Sequence, residues 1–336
     1  MTAAPRKPRL AVLPGDPAGV GPEMCAKLLA RAANVDAADI VLIGDPLVVA
    51  SGERVAGVKL DRLPVASLDA LRFETGRITH LPTPSVLDAE PALGECSVPA
   101  GASVLASLEL AIEAVRRGLV QGIVFAPLNK HSLRLAGMQQ EDELRFMQER
   151  LAVSGFTCEF NITGTLWTSR VTSHVPLREV AELITQEAIA SSVHLVHAAL
   201  RRSGVDQPRI AVSGLNPHAG DGGSIGTEEI EVIAPAVKQL AASGLTVTGP
   251  WSPDTVFIAA RRGDFDAVVS MYHDQGQIAM KLMGFDKGVT LHGGLPVPVT
   301  TSASGSAFDI AGKGIAKIEG LQQAFDLCRR MAQAGV

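Results

Sequence analysis

Three histidines of this 336-residue sequence share one local setting that is suited to metal binding. His174, His218 and His273 each follow an apolar, strand-like run and stand beside Pro, Gly or Asp, which favour turns. In an open α/β sheet, ligands bind outside the carboxyl ends of the strands, so side chains from distant parts of the sequence can meet there. Three imidazoles that leave further coordination positions free are typical of a catalytic divalent ion. The sequence therefore predicts a three-histidine metal site.

For any single one of these residues, the alternative is a lone loop histidine or a hydrogen-bonded histidine in the core. The repeated setting favours the metal site over that alternative, because the remaining histidines lack it. We predict that those five are structural or solvent-facing: His80, His131, His194, His197 and His292.

Four further charged residues are candidates for catalysis or substrate binding. Lys281 is the only charge in an apolar segment, and Lys130 follows a predicted strand, so both could reach the same cleft. Asp274 directly follows His273. Asp254 could act in the site or cap the helix that follows it, and the local pattern leaves both roles open.

Two glycine-rich stretches match nucleotide-binding loops only in part. The stretch 15–23 lacks the Lys-Ser/Thr pair of a Walker loop, and no GxGxxG follows the first predicted strand. A second stretch, 220–226, precedes a helix that opens with Glu228 and Glu229. Acidic residues suit the positive end of a helix dipole but repel a phosphate. This stretch is therefore either a structural turn or a ligand loop.

The composition restricts the class of protein. A net charge of −5, only 4% aromatic residues and no cluster of Lys or Arg argue against a nucleic-acid partner. The four cysteines are far apart and form no CxxC pair, which fits reduced thiols better than a zinc ribbon or a disulfide framework. The basic N-terminus lacks a signal-peptide core, and no uninterrupted apolar run approaches the ~20 residues of a membrane span. We expect a cytoplasmic protein with no membrane partner.

Strand-like and helix-like patterns alternate along the whole chain. This alternation predicts an α/β fold in which helices pack on a mainly parallel sheet. The length suggests two lobes, and without a low-complexity linker we expect them to be interwoven. The predicted strands are 9–13, 40–43, 122–126, 169–172, 209–212, 245–248 and 267–271, and the predicted helices are 22–29, 102–117, 143–151, 185–201, 227–242 and 321–331.

Several long motifs follow one another over nearly the whole chain. They are Gly-Asp-Pro-Ala-Gly-Val-Gly-Pro-Glu at 15–23, His-Val-Pro-Leu at 174–177, Gly-Leu-Asn-Pro-His-Ala-Gly-Asp-Gly-Gly at 214–223, Gly-Pro at 249–250, Pro-Asp-Thr at 253–255, Tyr-His-Asp-Gln-Gly at 272–276 and Gly-Ser-Ala-Phe-Asp-Ile-Ala-Gly-Lys-Gly at 305–314. In this order they resemble the 4-hydroxythreonine-4-phosphate dehydrogenase family of vitamin B6 biosynthesis, and the chain is identified as a member.

The resemblance implies the two-lobed isocitrate/isopropylmalate dehydrogenase-like fold. This fold binds nicotinamide cofactors without the GxGxxG motif, which would explain why that motif is missing. We accordingly place the first lobe at 1–130 and 285–336. The second lobe, 131–284, would carry the metal ligands and the dimer interface.

The resemblance also implies a homodimer with a shared active site. His174 and His218 would come from one subunit and His273 from the other, with one divalent ion per subunit. Zinc is the expected ion, and cobalt, magnesium and manganese are the alternatives. Lys281 would bind substrate and act in catalysis beside Asp254 and Asp274.

The implied reaction is oxidation of a 3-hydroxy-carboxylate by NAD or NADP, followed by loss of CO2 from the 3-keto acid. Lys130 is a further candidate for substrate binding. A hydrolase in which the three-histidine ion activates water, and a metal-binding regulatory protein, are the alternatives from other classes. The sequence leaves open the substrate, the choice between NAD and NADP, and the native metal.

Three places depart from the family's pattern. Where the family has a His-Thr pair that contacts substrate, this chain has Glu143 and Leu144. Thr290 replaces a substrate-binding Asn, and Val299 replaces an Arg. Losing His and Arg while gaining Glu removes positive charge that would bind a phosphate. We therefore count Glu143 as a substrate-binding residue and expect an unphosphorylated sugar acid or a cis-dihydrodiol carboxylate as the alternative substrate.

Overall fold

The computed structural model describes residues 7–84, 86–284 and 287–335. It divides the chain into two compact units, of which the first comprises Met1–Ser154 and Leu295–Val336 and the second Gly155–Gly294. The chain thus leaves the first unit once and returns to it. The return comes later than the expected residue 285, because the strand Val289–Gly293 pairs with the strand Cys158–Thr163 and so belongs to the second unit.

The helices and strands alternate along the chain. Among the described residues, the strands are β1 Arg9–Leu13, β2 Asp39–Gly44, β3 Arg62–Pro64, β4 Ile78–Pro82, β5 Gly122–Phe125, β6 Cys158–Thr163, β7 Leu166–Arg170, β8 Ile210–Ser213, β9 Val247–Trp251, β10 Ala267–Ser270, β11 Val289–Gly293 and β12 Val299–Ser302. The helices are α1 Gly21–Leu29, α2 Ala32–Ala37, α3 Pro46–Ala56, α4 Val98–Arg116, α5 Lys130–Leu135, α6 Glu143–Arg150, α7 Val180–Leu183, α8 Gln186–Ser203, α9 Ala234–Ala242, α10 Val256–Arg261, α11 His273–Gly284 and α12 Glu319–Gln333.

The sheet of the first unit is parallel throughout, with the strand order β3-β4-β2-β1-β5-β12. Its central strands are apolar on both faces because helices cover both sides. One core cluster includes residues of α4 and α6, and the other includes residues of α1 and α12. The parallel α/β architecture predicted from the alternating pattern is confirmed.

Residues 131–154 belong to the first unit and not to the second, where the sequence-based boundary at 130/131 had placed them. The reason is packing. Leu133 of α5 and Phe146 and Met147 of α6 are buried in the same core cluster as Leu108 of α4. Nearly complete burial of such side chains stabilises by about 1.5 to 3 kcal/mol each, which ties α5 and α6 to this core.

Helix α4 is long and apolar enough, by length and composition, to cross a membrane. It starts four residues before the predicted start at 102, because Ser97 caps it by accepting a hydrogen bond from the amide of Ala100. Its residues Leu108, Ala111 and Ile112 are buried in the core of the first unit. A helix that is buried over most of its surface has apolar residues on all sides, so its sequence is uniformly apolar.

The sheet of the second unit has the order β11-β6-β7-β10-β8-β9. Strands β7, β10, β8 and β9 are parallel, whereas β6 pairs antiparallel with both β7 and β11. The pattern did not predict β6. Its burial alternates residue by residue, and its outward polar positions interrupt the apolar run that marks the parallel strands.

Candidate metal centre

The three predicted metal ligands follow three neighbouring parallel strands of the second unit. Strand β10 lies between β7 and β8, so their carboxyl ends are side by side. His174 comes four residues after β7, His218 five residues after β8 and His273 three residues after β10. The strand order therefore places all three loops along one edge of the sheet, where ligands bind in such folds.

The structure brings the imidazoles of His174 and His273 together within one chain. Their ring centroids are 5.4 Å apart, at an interplanar angle of 44°. With metal–nitrogen bonds of about 2 Å, two imidazoles on one tetrahedral ion have centroids roughly 5 Å apart. The two loops are also joined directly, because the amide and the hydroxyl of Thr172 both donate to the carbonyl of Met271, at 3.0 and 2.8 Å. The assignment of His273 to the other subunit's site stays a prediction.

His218 does not complete a three-residue group in the single chain. Among the described residues, no trio of His, Cys, Asp or Glu with ligand atoms all within 4.8 Å of one another includes His218 or His273. His218 instead lies close enough to Asp254 for their charges to interact. The three imidazoles are thus on one sheet edge, with His174 and His273 adjacent and His218 farther away.

Two of the three histidines have a left-handed backbone. The φ angle is 49° at His174 and 54° at His218. This conformation costs an L-residue roughly 1 to 2 kcal/mol, and residues held in it concentrate at functional sites. The pattern of apolar residues gives no sign of this strain. The left-handed backbone is seen only in the structure, and it occurs at two histidines that also lie within the sequence motifs.

Asp274 fixes the ring of His273. The Nδ1 atom of His273 lies 2.7 Å from Oδ1 of Asp274. A carboxylate accepts this hydrogen bond from Nδ1, which leaves Nε2 as the ring nitrogen that can bind an ion. Carboxylate partners of this kind are typical of metal-binding histidines. The donor chemistry of the three histidines and Asp274 fits a borderline divalent ion such as zinc or cobalt.

Asp254 is exposed and does not cap the following helix. Helix α10 has Thr255 at its N-cap position and no capping hydrogen bond from a side chain. The Ser252 hydroxyl donates to Oδ1 of Asp254 at 2.6 Å, and this bond is the main reason that the pKa of Asp254 is lowered, with the nearby His218 contributing. Asp254 is thus an ionised, solvent-accessible carboxylate beside His218.

The predicted lysines lie on the surface. Lys281 is exposed on α11, two turns after His273. The apolar neighbours that drew attention to it are exposed as well, since Ile278 is 60% and Leu282 84% exposed. Lys130 is the exposed first residue of α5, in the first unit. A lysine in an apolar segment therefore marks an uncovered helix face here, and not a buried ammonium.

The remaining departures from the family pattern lie at the start of α6 and in two strands. Glu143 is the first residue of α6 and is 9% exposed, after Asp142 at the N-cap. Thr290 accepts a hydrogen bond from the Asn161 amide at 3.4 Å. Val299 is fully buried in the core of the first unit. None of these positions supplies a cation.

Three polar residues that the sequence did not predict as site residues hold the histidine loops. Gln275 accepts from the Met271 amide at 2.7 Å and donates to the Gly214 carbonyl at 2.9 Å, which links the loops after β10 and β8. Buried Arg170 donates to the Ser173 hydroxyl at 2.9 Å, directly before His174. The third is Glu229, described below. The available signal was a polar residue next to an apolar strand or at a helix start, which by itself does not reveal the hydrogen-bond partner.

The first unit has a candidate ligand position of its own, where the strand order reverses between β1 and β5. The loops after these strands meet, because the Asp16 amide donates to the Pro127 carbonyl at 2.9 Å. Such a reversal is the usual ligand position in open α/β sheets. Oδ2 of Asp16 is buried and has no hydrogen-bond partner among the described residues. It offers an acceptor to a hydroxyl or amide of a ligand such as a dinucleotide.

A two-unit α/β chain with a histidine cluster past its strand ends has counterparts among known dehydrogenases. The sequence profile described as pyridoxal phosphate biosynthetic protein PdxA matches residues 36–328, and the chain belongs to this family. A Pseudomonas aeruginosa protein provisionally named 4-hydroxythreonine-4-phosphate dehydrogenase 2 is 48% identical, with 98% of each chain covered. The crystal structure of 4-hydroxythreonine-4-phosphate dehydrogenase from Klebsiella pneumoniae is 35% identical with a TM-score of 0.83, covering 97% of this chain and 98% of that one.

Other similar proteins have different substrates in their names. A protein of Oceanobacillus iheyensis provisionally named D-threonate 4-phosphate dehydrogenase is 36% identical over 96% of this chain and 98% of its own. A terephthalate 1,2-cis-dihydrodiol dehydrogenase structure from Burkholderia xenovorans is 27% identical, with a TM-score of 0.67 and coverage of 98% and 99%. Isocitrate dehydrogenase from Methylococcus capsulatus shares the fold at 14% identity, with a TM-score of 0.50 and coverage of 94% and 83%. The predicted family and fold class are confirmed, and the chain is an oxidoreductase of the type that acts on CH–OH groups.

Proposed function

We propose that this chain is a divalent-metal-dependent NAD(P) dehydrogenase that oxidises and decarboxylates a 3-hydroxy-carboxylate in the cytoplasm. The observation that carries the proposal is the placement of His174, His218 and His273 at one edge of the sheet, with the first and last of them adjacent. Membership in a dehydrogenase family favours this activity over the three-histidine hydrolase.

In this proposal the three histidines would hold the ion, and Asp274 would keep Nε2 of His273 available. When bound, the ion supplies Lewis acidity at the substrate oxygens and the dinucleotide accepts a hydride. Asp254 is ionised and accessible, so it can accept the proton that the substrate hydroxyl releases. Lys281 would provide positive charge for the substrate carboxylate. Asp16 is the candidate acceptor for the dinucleotide.

A direct test of the metal centre is the metal content of purified variants. Replacing His218 by Ala removes one ligand of three and should abolish both the bound ion and turnover. Replacing His194, an exposed histidine of α8, by Ala is the matched control and should change neither. Full metal occupancy and activity in the His218 variant would contradict the proposed centre.

We further propose that the active form is a homodimer with shared sites. One observation supports it: α11, the helix that begins at His273, leaves Ile278 and Leu282 exposed. Exposed apolar residues on one helix face are typical of a surface that another subunit covers.

Mixing two inactive variants tests the sharing. If His174 and His273 serve different sites of the dimer, a hybrid of His174→Ala and His273→Ala subunits has one site with both defects and one intact site. An equal mixture should then regain roughly a quarter of the wild-type activity, since half the dimers are hybrids. If both histidines serve the same chain's site, as their 5.4 Å separation permits, every site is defective. No recovery after verified subunit exchange would contradict a shared site.

The substrate is the second part of the proposal, and a specific observation favours a compound other than 4-hydroxythreonine-4-phosphate. The positions of the family's substrate-binding His and Arg carry Glu143 and the buried Val299, so neither offers a positive charge to a phosphate. Each charge-assisted hydrogen bond contributes roughly 1.5 to 3 kcal/mol, so losing two would weaken binding by ~100-fold or more. An unphosphorylated sugar acid or a cis-dihydrodiol carboxylate fits these positions better.

Steady-state kinetics would decide between these substrates. We expect a higher kcat/KM, followed through NADH formation, for one of the unphosphorylated hydroxy acids than for 4-hydroxythreonine-4-phosphate. An efficiency at or above ~10⁴ M⁻¹s⁻¹ for the phosphorylated compound would show that the chain acts on it as an ordinary metabolic enzyme does. NAD and NADP should be compared in the same assay.

A further inference from the structure

The loop that carries His218 is a left-handed turn of five consecutive residues. The φ angles are 54° at His218, 53° at Ala219, 80° at Gly220, 43° at Asp221 and 65° at Gly222. Glycine tolerates this conformation, but it is unfavourable for each of the other three residues because their Cβ atoms crowd the backbone. A turn with this cost forms only if contacts from elsewhere in the structure hold it.

One buried carboxylate supplies such contacts. Glu229 is 2% exposed, and its Oε1 accepts the amides of Leu215 and Asn216, both at 2.7 Å. Its Oε2 accepts from Nδ2 of Asn216 at 2.9 Å. Nδ2 also donates to Glu228, at 2.7 Å. The carboxylate of Glu229 thus accepts three hydrogen bonds from the residues directly before the turn, and these bonds can offset the strain of the turn.

One glycine before the turn and one within it make room for this carboxylate. A Cβ atom at Gly214 would lie 3.0 Å from Oε1 of Glu229, and one at Gly220 would lie 2.7 Å from Oε2. Glu229 also begins a π-helical turn, Glu229–Ile233, which precedes α9. Such turns are rare and often occur at functional sites. The glycine-rich stretch therefore packs closely against the Glu229 carboxylate of its own chain.

We propose that Glu229 is a positioning residue: by fixing the amides of Leu215 and Asn216 it holds His218 in the left-handed turn and so sets the affinity of the site for a divalent ion. This inference rests on the proposed metal centre. Glu229 itself does not bind the ion, and it acts only through the backbone that precedes His218.

The test compares Glu229→Gln with Glu231→Gln. The amide of the first variant keeps the size of the side chain but offers only one acceptor oxygen. The dissociation constant of Co²⁺ or Zn²⁺, measured by competition with a chelator, should rise by roughly 10- to 100-fold in Glu229→Gln, as for other groups that orient metal ligands. Glu231 is exposed in the same π-helical turn, and its variant should keep the wild-type constant.

Hydrogen exchange of the metal-free protein provides a readout that does not depend on the ion. The amides of Leu215 and Asn216 should exchange faster in Glu229→Gln than in the wild type. A lower unfolding temperature with unchanged ion affinity would show a merely structural role and would overturn the proposal. If Glu229→Gln fails to fold, Glu229→Asp keeps the charge on a side chain one methylene shorter and should raise the constant by a smaller factor, and an unchanged constant in that variant would equally overturn the proposal.

Failure of the metal centre and failure of this inference are distinguishable. If His218→Ala binds the ion as the wild type does, the proposed metal centre is wrong. If His218→Ala loses the ion while Glu229→Gln retains wild-type affinity, only the positioning role is wrong.

Discussion

The left-handed backbone at His174 allows us to predict which of two substitutions at this position leaves the protein more stable. We expect His174→Gly to be more stable than His174→Ala, although glycine ordinarily destabilises a folded chain relative to alanine. Both variants lose the imidazole, so their difference isolates the effect of a Cβ atom at a φ of 49°. In the helical interior of α8, where His194 is exposed, the same pair of substitutions should have the opposite order.

The magnitude follows from two opposing terms. Alanine at position 174 pays roughly 1 to 2 kcal/mol for the left-handed conformation. Glycine pays roughly 0.5 to 1 kcal/mol more than alanine for the backbone freedom it loses on folding. With the midpoints of both ranges, the net preference for glycine is about 0.75 kcal/mol at position 174. At position 194, glycine should be less stable than alanine by about 1 kcal/mol.

Urea denaturation of the four variants in a chelating buffer measures this difference without a contribution from bound metal. At each site, the free energy of unfolding of the Gly variant is compared with that of the Ala variant. This Gly-minus-Ala difference should itself differ by about 1.5 to 2 kcal/mol between positions 174 and 194. If His174→Gly is less stable than His174→Ala, the backbone at this position is not strained. The left-handed backbone would then not mark a functional loop.

Three further outcomes are expected. Asp274→Asn should weaken binding of a divalent ion by roughly 10- to 100-fold, because the His273 ring loses the carboxylate that orients it; a chelator competition that gives the wild-type constant would refute this role. Burial raises the pKa of Asp16 from 3.8 to about 6, so the folded protein holds a proton that the unfolded chain releases, and stability falls as the pH rises through this window. Asp16→Asn should remove this dependence and raise the free energy of unfolding at pH 8 by about 3 kcal/mol, to be checked by denaturation at pH 5 and 8. Burial lowers the pKa of His80 from 6.5, so the unfolded chain binds the proton more readily and stability should fall as the pH drops below about 6.5; a His80→Asn variant with an unchanged slope between pH 5 and 7 would contradict this.

The elements that were predicted well are those whose local sequence pattern is compatible with only one type of secondary structure. Strand β1 matches the predicted 9–13, and β10 matches 267–271 to within one residue, because a short apolar run between polar or Gly and Pro residues suits a strand covered on both faces. Helix α11 was not predicted. It has apolar residues on its exposed face, Ile278 and Leu282, as well as the buried Met280, so its sequence shows no one-sided apolar pattern. The boundary at 130/131 was misplaced because the sequence does not show which core receives Phe146 and Met147.

The family, the α/β class and the position of each candidate histidine past a strand follow from the sequence alone. Apolar runs, turn residues and motifs are local properties, so each can be recognised within one segment. The adjacency of His174 and His273 follows from the fold, because it depends on the pairing of β7 with β10, which lie about a hundred residues apart in the chain. The left-handed conformation of the His218 loop and its hydrogen bonds to Glu229 also depend on the fold. The physical reason is that a strained turn is stable only with its partners in place, and those partners are set by packing rather than by local preference.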